Sequence, residues 1–163
     1  MTDSTITSDD FRRASGLWAT GVSIVTTTDA SGKPYGLTMN AVGSLSLDPP
    51  LFLVCVDLKS DTLAPMSESK TFCINMLTSA QQDLSNGFAK KGTDKFNNVN
   101  WTTAATGAPV IADTLVSIDC AVQDVLQGGD HKIFCGEVRA IIDNSDEAAE
   151  PLLFFKGRYA AIA

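Results

Sequence analysis

Val22-Ser23-Ile24-Val25-Thr26-Thr27-Thr28, then Asp29-Ala30-Ser31-Gly32, then Tyr35-Gly36-Leu37-Thr38-Met39-Asn40 is the stretch whose reading decides the fold. The first seven residues are rich in β-branched side chains, which suit a pleated surface, and read as a strand. Asp29 to Gly32 is turn chemistry, with a short polar side chain to bond its own backbone and a glycine free to take positive φ. Tyr35 to Asn40 then reads as the returning strand of a hairpin.

Working outward, Ala41 to Leu47 stays extended until Asp48-Pro49-Pro50 stops it, since proline cannot donate to a ladder. Leu51 to Val56 is a continuous apolar run, expected as a strand buried on both faces. Lys59 to Glu68 resembles a short helix capped near Ser60 or Asp61, Thr71 to Met76 another strand, and Gln81 to Lys90 another helix. Gly92 to Ala108 is polar, with Phe96 and Trp101 as isolated anchors, and is expected as a loop with short helical turns. Val116 to Leu126 and His131 to Ile142 are long strands around the turn Gln127-Gly128-Gly129-Asp130. Asn144 to Glu150 is an acidic surface loop, and Leu152 to Phe155 begins a final strand. Upstream, Ser8-Asp9-Asp10 has the form of a helix N-cap with acids in the first turn. Phe11, Ala14 and Trp18 share one face, so a first helix runs from about Asp9 to Leu17. Strands cluster in hairpins and do not alternate with long helices, which argues for a mostly antiparallel barrel with helical additions and against a doubly wound sheet.

The 163 residues make one domain, 1–163, long enough to bury a core without disulfide or metal staples. Hydrophobic residues at 44% and charged residues at 19% exclude a disordered chain. The net charge of -7 repels a phosphate backbone, so nucleic acid is not an expected partner. No apolar run is long enough to span a bilayer, and Met1 to Asp10 has neither the basic nor the apolar region of a secretory signal. Cys55, Cys73, Cys120 and Cys135 each lie in an apolar stretch with no C-x-x-C pair, and read as reduced core thiols of a cytoplasmic protein. The single histidine argues against zinc, and no metal site is expected.

The chain has no G-x-S-x-G elbow, no P-loop and no G-x-G-x-x-G fingerprint, so a nicotinamide nucleotide is not held in the Rossmann way. What remains is a run of small polar residues, Thr38, Asn40, Ser44 and Ser46, and then Lys59-Ser60-Asp61-Thr62. Hydroxyls, amides and free backbone N–H groups suit a ligand with many acceptors, a lysine beside two hydroxyls suits a phosphate, and Asn40 can both donate to and accept from the edge of a planar heterocycle. Thr38, Asn40, Ser44 and Ser46 share one parity, and the solvent face of an ordinary strand has the same pattern. Lys59 to Thr62 fits a capped surface helix equally well. A lone histidine opening an apolar strand, as His131 does, is more often structural than catalytic, and Phe88 at a helix end is more often core.

Seven segments in order change those weights: Phe11-Arg12-Arg13-Ala14 with Ala19 to Thr27; Gly36 to Pro50; Phe72-Cys73-Ile74-Asn75-Met76-Leu77; Asn86-Gly87-Phe88-Ala89; Gly129-Asp130-His131; Gly136-Glu137-Val138; and Pro151 to Tyr159. Together they resemble the short-chain flavin reductase family, which includes the reductase components of phenol, hydroxyphenylacetate and related aromatic monooxygenases. Gly36 to Pro50 is the most specific segment. The fold the resemblance implies is mostly β with short helices, an FMN-binding split β-barrel, largely antiparallel and of Greek-key type.

The resemblance also implies roles. Thr38, Asn40, Ala41 and Val42 lie against a flavin ring; Ser44, Lys59, Ser60 and Thr62 hold the ribityl chain and phosphate; Phe88 and Ala89 close the pocket. His131 is the catalytic-site residue on the nicotinamide side, with Phe155, Gly157 and Tyr159 nearby. The implied cofactors are FMN or FAD with NADH, NADPH being the alternative, and the implied partners are a second copy, as a homodimer, and a separate flavin-dependent oxygenase. Departures are modest: Leu37 stands where methionine is common, Gly43-Ser44-Leu45 replaces a more frequent pattern, and Asp61 adds a negative charge near the expected phosphate. A flavoprotein with retained FMN that reduces iron or an electron carrier, the pyridoxamine-phosphate-oxidase branch of the same barrel type, and a non-enzymatic binding barrel are the rival readings.

Overall fold

The computed structural model describes residues 5–92, 94–146 and 148–162. The strands are β1 (Thr20–Gly21), β2 (Ser23–Thr28), β3 (Pro34–Met39), β4 (Val42–Leu47), β5 (Pro50–Asp57), β6 (Thr71–Met76), β7 (Trp101–Thr103), β8 (Pro109–Ile111), β9 (Val116–Gly128), β10 (His131–Asp143), β11 (Leu153–Phe155) and β12 (Arg158–Ala160). Among the described residues three short helices join them: α1 (Ser8–Ser15), α2 (Leu63–Ser69) and α3 (Gln82–Phe88), the last entered through a 3-10 turn at Ser79–Gln81. The fold is mostly β and antiparallel.

The main sheet has the order β3-β2-β6-β9-β10-β5-β4. Its edge strands β3 and β4 are consecutive in sequence, with only Asn40 and Ala41 between them. Seven strands laid flat would hold their edges about 29 Å apart. Met39 and Val42 are three Cα steps apart, at most about 11 Å. The sheet therefore curls until its two edges approach at this end, and a seam remains between them because β3 and β4 do not pair.

The hairpin forms where expected. Asp29 Oδ1 accepts from the N–H groups of Ser31 and Lys33, and Gly32 takes φ +82°. β2 is buried on both faces. Val25 joins the core inside the curl with Val54, Val56, Met66, Phe72, Ile74, Ile118 and Phe134. Ile24 joins a second core with Val22, Leu77, Phe88, Ile111 and Leu152. The hydroxyls that β2 buries find partners: Thr26 donates to the Pro109 carbonyl and Thr27 to the Thr71 carbonyl. Close packing fixes one glycine in the first core, since a Cβ at Gly136 would lie 2.5 Å from Phe72 Cζ.

Several expectations change. The Leu51–Val56 run is not buried on both faces: Val54 and Val56 point into the core, while Leu53 and Cys55 remain half-exposed. The 92–108 segment carries strand β7, paired with β8, in place of helical turns alone; its residue 93 lies outside the described residues. The common parity of Thr38, Asn40, Ser44 and Ser46 is lost, because the chain crosses the seam at Asn40-Ala41 and the β4–β5 register shifts between Ser44 and Ser46. The first helix is capped one residue earlier than expected, by Thr7 with Asp10 in a reciprocal box, and it buries none of its residues: Phe11 is 67% exposed. A twelfth strand, β12, returns on β11. Residues 1–4 of the polar N-terminus and residue 147 of the acidic loop lie outside the described residues.

Candidate functional site

The seam opens onto a cleft of about 890 Å³, within the range of small-molecule sites. One wall is the chain from Trp18 to Ser23 and the other is Asn40 to Ser44. Phe52, Leu53 and Cys55 of β5 line it, as do Met76, Leu115 and Leu152. Local pairing sets both walls. Thr20 is fixed opposite Phe154 by the β1–β11 ladder, and the Ala41 carbonyl accepts from Cys55 N–H at 3.0 Å. Asn40 Nδ2 then donates across the opening to Thr20 Oγ1 at 3.1 Å. The side-chain oxygen of Asn40 and the exposed hydroxyl of Ser44 are the polar groups of the seam wall.

The face of β5 that lines the cleft runs on to a second group. Leu53, Cys55 and Asp57 alternate along β5, and their partners on β10 are Cys135, Ile133 and His131. His131 thus shares the cleft-lining face, two residues beyond Cys55. The next turn of chain lies against it: Leu58 N–H donates to the Asp130 carbonyl at 3.0 Å, and Asp57 Oδ1 accepts from Lys59 N–H at 2.7 Å. Lys59 is exposed, Ser60 half-buried with its hydroxyl accepting from Thr62 N–H, and Thr62 buried at the start of α2. Asp130 Oδ1 lies 2.7 Å from His131 Nδ1, and that hydrogen bond, with the imidazole's charge, holds the Asp130 carboxyl below its ordinary range.

A third group ties the elements behind the seam together. Thr38 Oγ1 donates to the Ser85 carbonyl at 2.6 Å, and the Tyr159 hydroxyl bonds Ser85 Oγ at 2.8 Å and Asn86 Oδ1 at 3.0 Å. Lys95 Nζ donates to the carbonyls of Gly36 and Phe88, each at 3.1 Å; burial lowers its pKa, and Asp61 opposes that shift.

Of the residues singled out from the sequence, Asn40, Ala41, Val42 and Ser44 line the cleft. His131, Lys59, Ser60 and Thr62 form the neighbouring corner. Thr38 and Tyr159 face Ser85, and Phe88 is a core side chain, 1% exposed. Ala89 follows α3 on the surface, and Phe155 and Gly157 lie at the β11–β12 turn, Gly157 at φ +73°. Sequence reasoning gave no site role to Trp18, Thr20 or Phe52, although Ala19-Thr20-Gly21 stood among the quoted segments, and Cys55, expected as a core thiol, is instead half-buried in the cleft wall. Among the described residues no cluster of three or more His, Cys, Asp or Glu is arranged to hold a metal ion.

Fold and cleft together define an antiparallel β protein with an open groove for a flat ligand: apolar side chains for its faces, an amide and a hydroxyl for its edge, and a lysine corner for an anionic end. That donor set fits a flavin. Residues 15–163 match the family model described as the flavin reductase like domain. A probable flavin reductase of Rhizobium meliloti is 43% identical over 129 residues, covering 79% of this chain, which spans only 42% of that relative's length. The reductase subunit of a flavin-dependent monooxygenase from Rhodococcus jostii is 38% identical over 152 residues, covering 93% of this chain and 76% of the relative. Among solved structures, an NADH:FAD oxidoreductase of Streptomyces globisporus superposes with a TM-score of 0.87 at 35% identity, covering 95% of this chain and 87% of that one. The chain belongs to the flavin reductase family.

Proposed function

We propose that this chain is an NAD(P)H-dependent flavin reductase that reduces FMN or FAD with NADH and releases the reduced flavin to a separate flavin-dependent oxygenase. The observation that carries this reading is the open cleft at the seam, lined by Asn40 to Ser44 and by Trp18 to Ser23, in a chain of this family. An open groove suits a flavin that comes and goes. The fold is proposed as a split β-barrel, its split being the seam between β3 and β4.

Bound in the cleft, a flavin supplies the ring that accepts hydride from the reduced nicotinamide. The chain's own residues bind, orient and exclude water. Asn40 presents its side-chain oxygen to the ring edge while Thr20 holds its amide nitrogen, and Ala41 and Val42 carry the adjoining backbone. Trp18, Phe52, Leu53 and Met76 keep the surroundings apolar. Ser44, Lys59, Ser60 and Thr62 hold the ribityl chain and phosphate, the Lys59 ammonium serving as a point charge. Thr38, Phe88 and Ala89 support the pocket from behind, through Ser85 and Gly36. His131 orients the nicotinamide nucleotide, and Phe155, Gly157 and Tyr159 are proposed to serve the same nucleotide from the β11–β12 hairpin. No protein nucleophile takes part.

A homodimer is part of the proposal. It is supported by apolar side chains left exposed, Trp18 in the cleft wall at 77% and Leu47 at the end of β4 at 97%. Elution as a monomer in sizing with light scattering would count against it.

The deciding experiment is anaerobic NADH oxidation, followed by the loss of nicotinamide absorbance, with and without added FMN or FAD. Turnover limited by added flavin supports the reductase. Bleaching of one equivalent of bound flavin and nothing more would replace it with a flavoprotein serving another acceptor. No oxidation at all would leave a flavin-binding protein without this activity.

A further inference from the structure

The turn that carries His131 is fastened by residues that are not part of the cleft. β9 and β10 close on Gly128-Gly129-Asp130-His131, with Gly129 at φ +62°. Gln127 Nε2 donates to the Gly129 carbonyl at 2.6 Å and to the His131 carbonyl at 3.3 Å. Leu58 N–H, just past β5, donates to the Asp130 carbonyl at 3.0 Å. Three consecutive carbonyls of the turn are therefore held, two by one side-chain amide and one by the neighbouring strand's end.

The ring is held as well. An ionised carboxylate only accepts hydrogen bonds, so the 2.7 Å contact of Asp130 Oδ1 with His131 Nδ1 puts a proton on Nδ1. Nε2 is then the nitrogen left to meet a ligand. The other charged groups around the ring are Lys132 beside it, Asp57 opposite it on β5, and Lys59 on the adjoining chain. Asp57 is occupied by Lys59 N–H, and Asp130 is the carboxylate that takes the imidazole. An exposed ion pair alone contributes little. Here the backbone beneath the pair is already fixed, so little freedom is lost in holding the ring.

We infer that Gln127 and Asp130 are positioning residues for His131, Gln127 by bracing the turn and Asp130 by setting the ring's tautomer and direction, so that Nε2 is presented to the nicotinamide nucleotide. The inference rests on the reading that His131 serves that nucleotide.

The test uses the full chain and five variants: Asp130→Ala, Asp130→Asn, Gln127→Glu, Gln127→Ala and His131→Ala. Two readouts are taken, KM for NADH against KM for flavin, and the nitrogen signals of the imidazole, unambiguous because His131 is the sole histidine. Asp130→Ala and both Gln127 variants raise KM for NADH roughly three- to tenfold and leave KM for flavin unchanged. Gln127→Glu keeps the shape but cannot donate. In Asp130→Ala the imidazole loses its Nδ1–H preference, and Asp130→Asn, whose amide oxygen still accepts, restores both it and most of the NADH KM. An unchanged tautomer and an unchanged NADH KM in Asp130→Ala overturn the inference while His131→Ala remains impaired. Unimpaired kinetics in His131→Ala would instead overturn the reading of His131 beneath it.

Discussion

The ring of Phe88 occupies the space that a side chain at Gly36 would need. A Cβ built at Gly36 would lie 2.9 Å from Phe88 Cε1 and 3.1 Å from Cδ1, with Thr26 Cγ2 at 3.3 Å on the other side. The ring cannot swing away, because Phe88 is 1% exposed and meets Phe96 edge-on at 5.0 Å between centroids. Gly36→Ala is therefore expected to cost about 1–3 kcal/mol, read as a lower urea midpoint with unchanged slope. A variant as stable as the parent would mean that α3 moves freely against β3.

Asn75 lies at the centre of a buried network between the sheet and β8. Its amide nitrogen donates to the Ile24 carbonyl and to Thr26 Oγ1, each at 3.1 Å, and its oxygen accepts from Ile111 N–H and Ser117 Oγ, each at 2.8 Å. Asn75→Ala strands the Ile111 N–H in a dry interior, at an expected cost of about 2–4 kcal/mol. Thermal unfolding checks this, and a loss below half a unit would mean that water enters the gap.

The hairpin of β2 and β3 was legible because its information is local: β-branched residues, then Asp29 bonding its own turn, then Gly32. The β9–β10 pair was legible for the same reason, from two apolar runs flanking Gly128-Gly129. Where non-local packing decides, the pattern misleads. Leu51 to Val56 looks doubly buried because its apolar outer side chains line the cleft, and a cleft wall and a core are equally apolar. Trp101-Thr102-Thr103 is too short for its alternation to register, and only pairing with β8 makes it a strand. Asn40 and Ser44 stand out in the run of small polar residues and the resemblance adds Ala41 and Val42, whereas Thr20 reaches the cleft through a ladder with Phe154, 134 residues further along the chain, and no local spacing announces that.

The four thiols differ in their exposure to base. Burial, with the nearby Asp119 charge, pushes Cys120 up to about 12, and burial raises Cys73 further. Cys55, half-buried in the cleft, is raised less severely, again by burial. A raised folded-state thiol pKa means that the unfolded chain loses these protons first, above about pH 8.5. The thiols' contribution to stability is therefore constant below that pH and falls as pH rises through the alkaline range. Replacing Cys73 and Cys120 with alanine should flatten the dependence of the urea midpoint between about pH 8 and pH 10. Under native conditions alkylation should label Cys55 before the buried three, and added flavin should slow it. Equal labelling of all four would contradict the burial.

The hydrogen bond between Asn40 and Thr20 spans the two walls of the cleft, and its two ends arrive by different routes: Asn40 from the crossing between β3 and β4, Thr20 from the β1–β11 ladder. If this bond fixes the width of the opening, either partner's removal should loosen the ring site by the same mechanism. Thr20→Val, which keeps the shape and loses the acceptor, and Asn40→Ala are each expected to raise KM for flavin roughly three- to tenfold, with KM for NADH little changed. The double variant should be hardly worse than Asn40→Ala alone, because one bond cannot be lost twice. In the proposed reading Asn40 also offers its carbonyl oxygen to the ring, so Asn40→Ala should be the more damaging single change. Fully additive effects would mean that the two side chains act on the flavin independently and that the width of the groove is set elsewhere, by the Ala41–Cys55 backbone contact at its floor.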